Sequence, residues 1–173
     1  VNGNNAIWSK FAGGGWAFQV DANGYLETEL RGTGGIDSYV LSGPNQLNLM
    51  RWYHLAMTFD ASDVRMYIGG VLVHEEAFKG TDITSSAARA VEWGARTNNS
   101  SYMDGWLTNG YIYSRALTQA EIYKAATQFI VPLDGSLEIG YRTNEGSGGT
   151  LTDISGNERD GNISGSSWST DTP

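Results

Sequence analysis

The strongest constraint on what this chain can become is a period of two. Apolar and polar residues alternate along several short segments, each closed by residues suited to a tight reversal. Trp16-Ala17-Phe18-Gln19-Val20 runs into Asp21-Ala22-Asn23-Gly24, and Tyr25-Leu26-Glu27-Thr28-Glu29-Leu30 answers it. Asn-Gly accepts the positive backbone dihedrals of a tight turn, so the spacing predicts a hairpin. Gly69-Gly70 plays the same part between Val64 to Ile68 and Val71 to Phe78. Ser38 to Leu41 reads as a short strand ended by Gly43-Pro44-Asn45. Trp52 to Phe59 reads as a long strand, with Val91 to Ala95 and Leu107 to Tyr113 completing the set. One stretch breaks the pattern. Thr118 and Glu121 form a Thr-x-x-Glu capping box, and Ala120, Ile122, Tyr123, Ala126 and Phe129 recur at helical spacing until Pro132. Many short strands with Gly/Asn turns predict an all-β sandwich or barrel with one short helix near residues 118–129.

At 173 residues the chain is long enough to bury a core of its own. The formal charge of −8 supplies no basic footprint for phosphate, which argues against nucleic acid as a partner. Cysteine is absent, so neither a disulfide framework nor a thiolate metal site is available. That leaves the compartment open, since a sandwich of this size does not need disulfides outside the cell. The longest near-apolar stretch, Phe129 to Leu133, falls far short of the roughly 20 residues that span a bilayer, so membrane insertion is not expected. The sequence starts at Val1 and shows no signal peptide, which reads as a processed or excised form. Sequons at Asn98, Asn99 and Asn162 mark exposed turns at the least.

The order of motifs resembles a known family. Ile7-Trp8-Ser9-Lys10 is followed by Gly15-Trp16-Ala17-Phe18-Gln19-Val20 and then by Trp52-Tyr53-His54-Leu55-Ala56-Met57-Thr58-Phe59-Asp60. Next come Val64-Arg65-Met66-Tyr67-Ile68-Gly69-Gly70, Trp93-Gly94-Ala95-Arg96, Gly105 to Tyr113, and Arg115-Ala116-Leu117-Thr118-Gln119-Ala120-Glu121-Ile122. Together they resemble the laminin-G-like, concanavalin A-like lectin/glucanase superfamily. The resemblance implies a jelly-roll of two antiparallel sheets, usually extracellular and often a carbohydrate-binding or adhesive module. Where that family usually has Gly-x-Ile-Asp-Glu, this chain has Trp106-Leu107-Thr108-Asn109-Gly110, which removes an acidic pair.

The family's opening motif also stands in an unusual place. Glu145-Gly146-Ser147-Gly148, Asp153-Ile154-Ser155-Gly156-Asn157 and Asp160-Gly161 resemble the first strands of the sandwich, yet they lie in the C-terminal part of the chain. Residues 1–131 therefore read as the main body and residues 132–173 as displaced opening strands. These could close their own sandwich in permuted order, pair with another copy of the chain, or begin a further repeat.

Four groupings could carry chemistry. Glu27 and Glu29, in Glu27-Thr28-Glu29, share the alternate spacing that the resemblance implies for the carboxylate pair of its glucanase branch, but a solvated sheet face is the simpler expectation. His54 and His74 lack the further ligands a metal would need, and each reads as a partly buried histidine. Asp153, Ser155, Asn157 and Asp160 place oxygens at alternate positions of a glycine-containing loop. Such a loop suits either structural calcium or an Asx turn that bonds its own backbone. The segment Arg96 to Trp106 joins flat rings, Tyr102 and Trp106, to the hydrogen-bonding groups of Arg96, Asn98, Asn99 and Asp104, the mixture that stacks on and grips a pyranose. The expectation is a non-catalytic carbohydrate-binding or adhesive module, secreted or exposed on a cell surface or virion, with a polysaccharide or glycan as partner. The alternative is a structural subunit of a filament, cell surface or virion, assembled with other copies of itself by strand exchange through the C-terminal segment.

Overall fold

A computed structural model of the protein describes residues 4–11, 14–32, 37–80, 82–84, 90–96, 101–171 and 173, with the backbone alone described over 37–45. Strands β1 (Asn5–Phe11), β2 (Gly15–Val20), β3 (Tyr25–Arg31), β4 (Asp37–Gln46) and the short β8 (Glu92–Trp93) form a five-stranded sheet in the order β4-β3-β2-β1-β8. Strands β5 (Leu55–Phe59), β6 (Asp63–Ile68) and β7 (Val71–Ala77) form a three-stranded sheet. Strands β9 (Gly110–Tyr113) and β10 (Leu137–Tyr141) pair antiparallel, as do β11 (Thr150–Leu151) and β12 (Gly161–Asn162). Helix α1 (Gln119–Gln128) lies between β9 and β10 in the chain. The all-β class and the antiparallel sheets follow the expectation from sequence.

The β2–β3 hairpin forms where the alternation places it, with Val20 opposite Leu26 and Trp16 opposite Leu30. Asp21 fastens its turn: one carboxylate oxygen accepts from the backbone N–H of Asn23 at 2.9 Å and of Tyr25 at 2.8 Å. Strand β4 departs from expectation. It does not end at Gly43-Pro44-Asn45 but runs on to Gln46, with a register break between the partners of Tyr25 and Glu27. Proline costs little there, because β4 is an edge strand with an irregular ladder. Strand β5 is shorter than expected and leaves Trp52 outside the sheet at the surface.

One continuous core joins the layers. Ile7, Trp8, Phe18, Leu26 and Leu30 from the large sheet meet Val64 and Met66 from β6, Phe78 just beyond β7, and Ile139 and Tyr141 from β10. Trp8 and Trp93 stack with ring centroids 5.3 Å apart, and Tyr141 lies 6.1 Å from Trp8 and 5.9 Å from Trp93. The backbone of β9 runs directly against this stack. A Cβ at Gly110 would come 2.6 Å from Trp8 and 3.0 Å from Trp93, so only glycine fits there. Strand β10, in the C-terminal part of the chain, thus lies against β9 and buries Leu137, Ile139 and Tyr141.

The helix is capped as its sequence requires. Thr118 accepts from the Glu121 backbone, and the Glu121 carboxylate accepts in return from the Thr118 N–H at 2.7 Å. Its buried face differs from the expected stripe: Ile122 and Ala125 turn inward, while Ala120, Tyr123 and Phe129 are exposed. The helix ends at Gln128 through a left-handed Phe129, before Pro132 is reached. Among the described residues no helix is long and apolar enough to cross a membrane.

Candidate functional site

The segment after β8 carries the exposed rings. It is held from both sides. The backbone N–H of Gly94 donates to Ile7 at 2.8 Å, that of Met103 to Gly94 at 2.8 Å, and that of Asp104 to the side-chain oxygen of Asn5 at 3.0 Å. The Leu107 side chain reaches down to Gly94, where a Cβ would lie 3.1 Å from its methyl group, and Leu107 packs on the core. Met103 and Leu107 are partly buried anchors, while the residue before each stands out: Tyr102 is 60% and Trp106 48% exposed. Two large rings this exposed on a pinned loop have little to gain from folding alone. Asp104, between them, is also exposed.

Arg96 belongs elsewhere. Its guanidinium lies 2.6 Å from the Glu29 carboxylate, with both side chains largely buried, and stands over the Phe11 ring at 4.3 Å. The expectation that Glu27 and Glu29 lie on a wet face is therefore corrected. The face of the large sheet turned away from the core buries Ser9, Ala17, Gln19 and Glu29. Glu27 is half-buried beside them, and its carboxylate accepts from the side-chain amides of Gln19 and, at 3.4 Å, of Asn4. Burial pushes the Glu27 carboxyl up from its ordinary range, partly offset by the Gln19 hydrogen bond. Sequence reasoning missed this layer, because alternation says which side chains share a face but not what comes to lie upon it. Asn98 and Asn99 lie outside the described residues.

The Asp153 loop resolves into bonds of its own. One Asp153 oxygen accepts from the N–H of Gly140 at 2.9 Å and of Ser155 at 3.0 Å; the other accepts from the Ser155 hydroxyl at 2.6 Å and the Arg159 N–H at 3.1 Å. Asp160 accepts from the Asp153 N–H at 2.8 Å, and the Asn157 amide donates to Leu137 at 3.0 Å and to Glu138 at 3.2 Å. These donors hold Asp153 below the usual carboxylate range against the opposing effect of burial. A calcium ion would have to displace the N–H and O–H groups already aimed at those oxygens, so the donor set does not fit one as arranged. No group of three or more acidic or histidine side chains suited to a metal occurs among the described residues. His54, just before β5, is partly buried, and burial lowers its pKa.

The described part of this segment thus offers two rings to solvent from the end of a β-sandwich. The match to a laminin-G-type model of the concanavalin A-like lectin/glucanases superfamily runs over residues 1–123, and the chain belongs to that family. Among solved structures it is similar to a candidate carbohydrate-binding protein from Bacteroides ovatus, with a TM-score of 0.70 and 19% identity over 92% of this chain and 47% of that one. It is also similar to the binding domain of Paraclostridial Mosquitocidal Protein 1, with a TM-score of 0.50 and 15% identity over 73% of this chain and 32% of that one. The chain thus spans about half the length of the first of these or less, and at these identities the likeness concerns the fold. Comparison with curated protein sequences gives no significant match.

Proposed function

We propose that this chain is a non-catalytic carbohydrate-binding module working outside the cell or at its surface, with Tyr102 and Trp106 as the rings that stack on sugar. The observation that carries the reading is their exposure on a segment whose Met103 and Asp104 N–H groups bond Gly94 and the Asn5 side chain, a preorganised platform that loses little entropy on binding. Asp104, exposed and between them in sequence, would serve as an acceptor for hydroxyls. Family membership and the candidate carbohydrate-binding role of the Bacteroides ovatus protein support the same direction. Catalysis by Glu27 and Glu29 is disfavoured by the Arg96 ion pair, which engages one of the two carboxylates.

Sedimentation with insoluble cellulose, xylan and chitin tests the proposal. The native chain is expected to co-sediment with at least one of them. Trp106→Ala and Tyr102→Ala are expected to remain in the supernatant with unchanged circular dichroism. Retention that survives both substitutions would remove the loop as the site.

A further inference from the structure

From the charge around the rings, we infer that the glycan this loop takes is electrically neutral, not uronate-rich or sulfated; this rests on the reading of Tyr102 and Trp106 as its platform. Between Arg96 and Gly110 the sequence holds one cationic residue, Arg96, and one anionic residue, Asp104. The cation is withdrawn: Arg96 lies 2.6 Å from Glu29, with its side chain only 14% exposed, and stacks over Phe11. The anion is left at the surface, two residues from each ring in sequence. An arriving sugar carboxylate or sulfate therefore meets a like charge with no facing guanidinium or ammonium from the loop.

The wider field has the same sign. Nineteen acidic residues outnumber eleven basic ones, giving a formal charge of −8. Several cations are tied locally to carboxylates: Arg65 to Asp60, Asp63 and Glu75, Lys79 to Glu76, Arg115 to Glu121 and Asp134, and Arg159 to Glu138. A glycosaminoglycan or pectate site needs cations that are both clustered and unspent. A neutral pyranose chain needs flat rings and a few acceptors, which this loop has.

Affinity electrophoresis of the full chain in gels carrying one backbone in two charge states separates the cases. Hydroxyethyl cellulose is the neutral probe and carboxymethyl cellulose the anionic one, extended by galactomannan against polygalacturonate and heparin. Retardation is expected with neutral polymers and about threefold weaker or absent with anionic partners, as expected for one like charge near Asp104. The difference should narrow as salt shortens the screening length to about 8 Å at physiological ionic strength. Asp104→Asn should narrow it at low salt, and Trp106→Ala should abolish retardation in every gel. Equal or stronger retardation by anionic polymers would overturn the charge inference while leaving the module reading standing. No retardation by any polymer would overturn both.

Discussion

Arg96 shows how a residue with every mark of a ligand contact can serve the fold. It sits at the head of an Asn- and Ser-rich loop, yet its guanidinium faces Glu29 on β3 and the Phe11 ring on β1. Breaking a buried pair from one side leaves a carboxylate short of its counter-charge, so Arg96→Met should cost about 3 kcal/mol or more in urea unfolding. Adding Glu29→Leu to Arg96→Met should recover much of that loss. Glycan retention by the folded fraction should stay unchanged, the reverse of what Trp106→Ala should do. If Arg96→Met unfolds like the native chain but loses retention, Arg96 is a ligand contact after all. The exposure of Tyr102 and Trp106 was legible in the sequence because a ring in an Asn- and Ser-rich loop has few apolar neighbours to hide it. Arg96 was not, because its partner is far away in sequence and only the sheet brings them together.

At the scale of elements, helix α1 depends on a small polar knot. Glu121 caps the first turn and pairs with Arg115, which also reaches Asp134 just ahead of β10. Hydrogen bonds from Arg115 and Thr118 hold the Glu121 carboxyl down at about 2, and those from Ser136 and Arg115 hold Asp134 at about 2. Both groups are depressed in the folded state, so their contribution is complete above the ordinary carboxylate range and fades as pH falls toward 2. Thr118→Ala should cost about 1 kcal/mol at neutral pH. Its deficit relative to the native chain should shrink in acid, where Glu121 is protonated in both, as followed by far-ultraviolet dichroism during urea titration. A deficit independent of pH would mean that the cap works without the carboxylate. The capping box was legible because it is local. The helix's buried face was not, since helical spacing marked Tyr123 and Phe129 as readily as Ile122, and only the packing partner separates them. Strand β4 defeated the rule that proline ends a strand for a similar reason: edge position is a property of the sheet.

For the whole molecule the decisive contact is Tyr141 with the Trp8–Trp93 stack. Its ring closes the core, and its hydroxyl donates to the Arg159 carbonyl at 2.8 Å. Tyr141→Ala should therefore cost about 3–5 kcal/mol, with loss of the near-ultraviolet aromatic signal at lower denaturant. Ending the chain after Leu133 should remove the cooperative transition, because β9 then loses its partner and the tryptophans lose their cover. A truncated chain that still unfolds in one sharp step would show the main body to be self-sufficient. Two-residue periodicity was enough to specify a sandwich, but not the place of its C-terminal strands, because alternation does not encode which edge a segment will join.

The place of β10 also bears on time. Trp8 and Tyr141 stand more than a hundred residues apart, so the contact that seals the core joins distant parts of the chain. At synthesis rates of about 5–20 residues per second, the bare edge of β9 waits a second or more for its partner. Loop closure over such a span slows folding, and an unpaired edge in the interval is open to other strands. Yield in cells should therefore depend on how quickly β10 arrives as well as on how stable the finished sandwich is.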